Sequence, residues 1–229
     1  HTPFTCRTFP RFINDFGALR EMGLSFSCPV AAEMMFDPKY DFSFTEEMND
    51  LPPTLNDIDA RLYFTLLSAR KTAYALVQDS TKPLARCLVE LLDFAEELQG
   101  QIGALPTVTE KMDFRSVFQN PELINFQWPE KVAAGDLTAP VGESHFGRQI
   151  AMYFLFRYFL NLGLEGDVLS AAKMAVVGVL VPTYFGTDSW VMHLWSKETE
   201  HSDVNMERYR RLLRTADCLS VPALKSRLV

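Results

Sequence analysis

The sequence predicts a mainly α protein: an irregular multi-helix bundle with a small, loop-rich N-terminal module that carries a β-hairpin. Three observations carry this. From Ile58 onward, apolar residues recur at the three- and four-residue spacing of one helix face. Capping residues, prolines and glycines punctuate that pattern into successive segments. Before Ile58 the helical period is largely missing, and rough alternation surrounds the turn sequence Asn14-Asp15-Phe16-Gly17.

Residues 1–26 read as loop-rich, with Phe12-Ile13 and Leu19–Phe26 as the arms of the hairpin. Ser27 is placed to cap a short helix from Pro29 to Phe36, because proline fits a first helical turn. Cys28 then sits at a helix N-terminus, where unpaired N–H groups and the macrodipole favour a thiolate. Residues 37–53 are polar, with Tyr40, Phe42 and Phe44 alternating as an edge strand and Pro52-Pro53 closing the stretch. The chain therefore divides into an N-terminal module, residues 1–45, and a helical domain, residues 46–229.

Thr54 or Asn56 caps the next helix, whose stripe is Ile58, Leu62, Leu66, Ala69, Ala73 and Leu76. A second helix, Pro83 to about Gln99, carries Leu84, Cys87, Leu88, Leu91, Ala95 and Leu98, and the two pack as an antiparallel hairpin. Residues 100–140 hold no sustained period beyond a helical piece at Phe114–Gln119. They read either as a lid or binding loop, or as a packed irregular segment anchored by Phe126 and Trp128. Ser144–Asn161 is apolar on nearly every side, the mark of a central bundle helix. Gly163 and Gly166 end it, and a further apolar helix, Val168–Val181, stops at Pro182. Ser189–Thr199, Asp203–Arg214 and Pro222–Leu228 complete the chain.

A net charge of −7 and a pI of 5.2 argue against a nucleic-acid partner, which draws on clustered Lys and Arg. Four cysteines in 229 residues are too few for a disulfide framework, so Cys87 and Cys218 read as reduced thiols of a cytoplasmic protein. The most apolar run, Met174–Phe185, is shorter than the roughly 20 residues a bilayer requires, so no membrane partner is expected. No G-x-G-x-x-G follows a strand, and P-loop, G-x-S-x-G and C-x₃-C-x₂-C patterns are absent from the sequence.

Candidate chemistry gathers in three places. Cys6 and Cys28 share a segment with Arg7 and Arg11; positive charge lowers a thiol pKa, and the thiolate is the form that ligates metal. Two thiolates leave a four-ligand site half complete. The arginines suit either a thiolate cluster, the carboxylate of a methionine-like cofactor, or ordinary salt bridges. Arg157, in the most apolar helix, requires a carboxylate partner, with Glu165, Asp188 and Glu198 as the choices. Glu198 and His201 form an E-x-x-H pair beside Glu200, half of a carboxylate metal site. The alternative is a helix junction in which Ser202 or Asp203 caps the next helix and His201 bonds the preceding carbonyls.

Cys6-Arg7-Thr8-Phe9-Pro10-Arg11, followed by Ser27-Cys28-Pro29-Val30-Ala31-Ala32, resembles the flagellin lysine-N-methylases, bacterial proteins implicated in methylating lysines of flagellin. The resemblance extends to the Leu55–Gln99 helical pair, to Phe156-Arg157-Tyr158-Phe159 and to Ser196–Ser202, and departs from the pattern at Phe9, Val30 and Glu33. It implies a protein-lysine N-methyltransferase that uses S-adenosyl-L-methionine, with flagellin or another lysine-bearing protein as partner. It also implies an iron-sulfur cluster ligated by Cys6 and Cys28, the remaining ligands lying in an upstream Cys-rich region outside this chain. The chain is thus expected to be a C-terminal portion or a processed form. Arg7 and Arg11 would bind the cofactor, and Glu198, Glu200 or His201 would take the proton from the lysine ammonium. The alternative is a non-catalytic helical domain that binds a protein surface.

Overall fold

Strand β1 (Arg11–Phe16) returns through Gly17-Ala18 into β2 (Leu19–Leu24), pairing Phe16 with Leu19 and Arg11 with Leu24. Gly17 has φ 69° and Ala18 a negative φ, the signature of a type II′ turn that matches strand twist. The turn is therefore these two residues, and Asn14–Phe16 belong to the strand. Opposite Phe12 lies Gly23, where a Cβ would stand 2.4 Å from the Phe12 ring; the ring lies across the bare glycine. The computed structural model describes residues 9–48, 50, 52, 58–103 and 109–229. Within them the protein is mainly helical, as expected, with nine α-helices behind this hairpin.

Helix α1 (Pro29–Phe36) has the expected bounds, but its N-cap is Cys28 and no side chain caps it. Ser27 instead donates its hydroxyl to Ser25 Oγ at 2.9 Å. Tyr40–Phe44 is not a strand. Gln149 takes its backbone: Oε1 accepts the Phe42 N–H at 2.6 Å, and Nε2 donates to the Tyr40 carbonyl at 3.2 Å.

Helix α2 (Ala60–Gln78) is capped by Asp59, whose carboxylate accepts from the Arg61 and Leu62 N–H groups. Thr54 and Asn56 lie outside the described residues. Helix α3 (Leu84–Ile102) packs against α2, burying the predicted stripe of Leu84, Leu88, Leu91 and Ala95. The connection that follows holds a 3₁₀ turn (Phe114–Phe118) and a helix the sequence did not reveal, α4 (Gln127–Ala134). Trp128 anchors it, 1% exposed, its indole donating to the Phe118 carbonyl at 3.0 Å; Phe126 is solvent-exposed and anchors nothing.

The core is the pair α5 (His145–Leu164) and α6 (Val168–Phe185), capped by Ser144 and Asp167. Their backbones come close at Gly178, where a Cβ would meet the Phe154 ring at 2.5 Å. Helix α6 runs through Pro182 rather than stopping before it. Proline there removes one helical N–H, and buried Tyr184 and Phe185 hold the last turn. Because it starts at Val168, α6 is longer than the apolar run suggested. Among the described residues it is long and apolar enough to cross a membrane by length and composition, with mean hydropathy 1.7, and 89% of it is buried in this fold. Helices α7 (Ser189–Glu200), α8 (Asp203–Thr215) and α9 (Val221–Leu228) close the body. Phe16, Phe26 and Ala32 belong to the same buried cluster as the helices, so the hairpin and α1 share one core with the body.

Candidate functional site

Where the hairpin docks, α5 and α7 bring a set of polar side chains together under its cover. On α5 the residues are Tyr153, Arg157 and Tyr158; on α7 they are Ser196 and Glu200, one helical turn apart. The Glu200 carboxylate, 2% exposed, accepts hydrogen bonds from Tyr158 Oη at 2.5 Å, from Tyr153 Oη at 3.3 Å and from Ser196 Oγ. Arg157 Nη1 lies 3.0 Å from Glu200 Oε1 and also donates to Tyr153 Oη. Phe12 covers the guanidinium, 4.5 Å from its ring centroid, and Asn14 Nδ2 donates to the Arg157 carbonyl at 3.0 Å. Gly23, bare beneath the Phe12 ring, is what lets the hairpin seat this lid. Ser25 Oγ stands 3.4 Å from Ser196 Oγ, and the Phe9 ring 6.1 Å from that of His201.

Burial pushes the Tyr153 and Tyr158 hydroxyls well above the usual tyrosine range. Burial draws the Arg157 pKa down, but Glu200 and then the two tyrosines outweigh it and the net shift is upward, so Arg157 is a permanent cation. Its partner is thus Glu200 and none of the three carboxylates the sequence offered. Glu165 pairs with Arg210, Asp188 caps α7, and Glu198 faces the other way. Residues two apart on a helix do not share a face.

Glu198 is wholly buried, and its Oε1 accepts the N–H groups of Ile124 (2.9 Å) and Asn125. Its Oε2 makes no hydrogen bond of normal geometry among the described residues, though the Asn120 side chain lies close enough to stabilise the carboxylate. Burial raises its pKa, opposed by the Asn125 and Ile124 donors. Asn205 completes the brace, bonding Glu122 through both its backbone groups and the Glu198 carbonyl at 2.7 Å. The capping half of the junction reading describes this turn, with Ser202 Oγ capping α8 and His201 the C-cap of α7, but the His201 ring does not bond the preceding carbonyls. The His201 ring makes no hydrogen bond among the described residues and instead meets Phe9. Burial lowers its pKa, with Glu200 acting upward and Arg157 downward. Glu198→Ala should cost about 1–3 kcal/mol in urea denaturation, since the Ile124 and Asn125 donors lose their acceptor. Glu198→Gln, which retains Oε1 and removes a poorly compensated charge, should stay within about 1 kcal/mol of the parent. Equal losses for both would contradict the brace.

Cys6 and Arg7 lie outside the described residues. Arg11 is exposed at the start of β1, and Cys28 is half-buried at the α1 N-cap. Among the described residues no three His, Cys, Asp or Glu side chains are arranged to hold a metal ion. Cys28 offers one thiol, so the described residues by themselves do not fit an iron-sulfur cluster. Nor do they form a strand-to-helix cradle for S-adenosyl-L-methionine: among them the strands are the two of the hairpin. Cys218, its pKa pushed up to about 11 by burial and Asp217, is a thiol at neutral pH.

Beside the Glu200 cluster opens a groove of about 1520 Å³ that sequence reasoning missed. β2, α1, α2 and the Tyr40–Met48 segment line it, with Tyr153 and Phe156 of α5 at its base. A buried ion pair, Arg70 with Glu21, forms part of the lining, one contact being Nη1 to Oε2 at 3.0 Å. Tyr74 Oη, also in the lining, is buried without a hydrogen-bond partner among the described residues, and burial raises its pKa. Tyr153 belongs to both places, its ring in the groove lining and its hydroxyl on Glu200. The signal for the cluster was present in the sequence, as an arginine flanked by tyrosines at helical spacing in an apolar helix. The groove carried none, because its walls come from segments far apart in the chain.

Fold and site together define a class: a mainly helical protein with a buried arginine–glutamate–tyrosine cluster beside an open, aromatic-lined groove. Compared with family models, curated proteins and solved structures, the chain has no match in any of the three.

Proposed function

We propose that this chain belongs to a protein-lysine N-methyltransferase acting on flagellin, its helical body shaping the acceptor side of the site. The supporting observation is convergence. The blocks that resemble the flagellin lysine-N-methylases are far apart in sequence, yet Arg157, Tyr158 and Ser196 meet at the Glu200 carboxylate, Ser27 joins Ser196 through Ser25, and Phe9 packs on the neighbouring His201. A lysine ammonium must lose a proton before its nitrogen attacks a methyl donor. In this reading Glu200 is the proton acceptor, and Tyr153, which lines the groove and donates its hydroxyl to the carboxylate, holds Glu200 beside it. Glu198, turned to the far side of α7, takes no part. S-adenosyl-L-methionine and the iron-sulfur cluster are implied by the resemblance alone.

The test uses the full-length gene product with S-adenosyl-L-methionine and purified flagellin, read by intact-mass spectrometry. The expected result is a ladder of single-methyl increments on flagellin, abolished by Glu200→Gln in a protein that retains its far-UV circular dichroism. A full-length protein that adds no methyl group supports the second reading, a non-catalytic helical domain that binds a protein surface. The groove, large and open, is the observation that favours that alternative.

A further inference from the structure

The groove takes in the edge of β2 as well as the face that β2 shares with Phe12 and Phe16 of β1. Ala18 to Leu24 all line it, residue after residue. Side chains alternate across a strand, so a cavity against one face would touch every second residue. The hairpin register agrees. Phe16 and Leu19 flank a two-residue turn and exchange hydrogen bonds, so by alternation Asn14 with Glu21 and Phe12 with Gly23 do the same. The N–H and C=O groups of Arg20, Met22 and Leu24 then point to the outer edge, and among the described residues no backbone group beyond the hairpin takes them. An edge of this kind is a template for another strand.

The other wall is chain without helix or strand: Tyr40 to Met48 line the groove consecutively. Between the walls, Met22, Leu24, Phe44 and Phe64 are exposed apolar side chains, from 45% to 67% accessible. Charge selects the occupant further. Asp41, Glu46 and Glu47 are exposed along the facing wall, and neither Glu46 nor Glu47 makes an ion pair among the described residues. Of the basic lining residues, Arg20 is held by Asp15 and Arg70 by Glu21, leaving Lys71 against the acidic wall.

We propose that an extended peptide alternating apolar and lysine residues binds in this groove as a third strand on the edge of β2. Main-chain hydrogen bonds to Arg20, Met22 and Leu24 supply register, the apolar lining takes one set of side chains, and the acidic wall takes the lysines. An edge of six residues spans about 20 Å, which about six residues of an extended peptide cover, so a heptapeptide spans it fully. That the peptide belongs to the methyl-acceptor protein rests on the function proposed above; the binding mode does not.

Fluorescence anisotropy tests it with a labelled heptapeptide alternating lysine and valine, the same peptide with glutamate for lysine, and the lysine peptide N-methylated at alternate backbone amides. The lysine peptide should bind saturably, and the other two at least tenfold more weakly. Met22→Pro removes an outward N–H without touching a hairpin bond, and should weaken the lysine peptide at least tenfold. Glu46→Lys with Glu47→Lys should reverse the charge preference. If Met22→Pro disturbs the circular dichroism, the N-methylated peptide carries the same test on the parent protein. Equal binding of the N-methylated peptide, a preference for glutamate, or no saturable binding overturns the proposal. So does a dimer in sedimentation that Met22→Pro dissolves, because the groove would then serve a second copy. Peptide binding without methylation of flagellin sinks only the enzymatic reading. Methylation that survives Met22→Pro in full-length protein sinks only the docking.

Discussion

Glu200→Ala should destabilise the protein by about 3–5 kcal/mol in urea denaturation, the range for removing one partner of a buried ion pair. The size follows from what is left behind. Arg157, its side chain 15% exposed, is roofed by Phe12 and packed against Tyr153 and Tyr158, and its other polar contact is the Tyr153 hydroxyl. Without Glu200 its charge has no compensating anion, and the Tyr158 and Ser196 hydroxyls lose their acceptor as well. Arg157→Met leaves the carboxylate with three hydroxyl donors, so its loss should be the smaller of the two. The double variant, with methionine at both positions, should lose less than the two single losses summed, because it strands no charge. A loss under about 1 kcal/mol for Glu200→Ala would show that water reaches the cluster, and the buried node would no longer stand.

Raising the pH past about 10 should unfold the protein over a narrow range. Tyr74, Tyr153, Tyr158 and Tyr209 all have hydroxyls that burial pushes above the ordinary tyrosine value. In the unfolded chain these groups ionise near pH 10, while the folded protein keeps their protons. Their contribution is therefore fully present below about pH 10 and is lost as pH rises toward the folded values. Each group removes about 1.4 kcal/mol per pH unit in that window, so four remove roughly 5–6 kcal/mol per unit. Against a typical stability of about 5–15 kcal/mol, about one to three pH units suffice. Phenolate absorbance should rise together with the loss of circular dichroism. Phenolate appearing gradually in a protein that stays folded would mean that the hydroxyls are open to solvent. Tyr209→Phe sharpens the test: Tyr209 Oη has no hydrogen-bond partner among the described residues, so the substitution should cost little at neutral pH and flatten the alkaline slope by about a quarter.

Most of the helices were legible because they are read locally. Pro29 at a first turn, Ser144 and Asp167 ahead of apolar runs, and the stripe of α3 each state a boundary or a face within a few residues. The errors lie where a distant group takes over the backbone. Tyr40, Phe42 and Phe44 alternate as a strand does, yet Gln149, more than a hundred positions away, holds the Tyr40 carbonyl and the Phe42 N–H. α4 has no long stripe of its own and is secured by Trp128 reaching the Phe118 carbonyl. The site divides in the same way. That Arg157 needs an anion followed from its apolar helix; that the anion is Glu200 followed from which face of α7 meets α5.

By itself, then, the sequence determined that the chain is mainly helical with an N-terminal hairpin, where most helices begin, and which residue had to be neutralised. These follow from propensity, capping and the cost of burying a charge, all local. Only the tertiary structure decided that Glu198 and Glu200 look in opposite directions, that Phe12 closes over the cluster because Gly23 makes room for its ring, and that an open strand edge faces an acidic wall. Those outcomes depend on how elements far apart in the chain come to rest against one another, which no local pattern encodes.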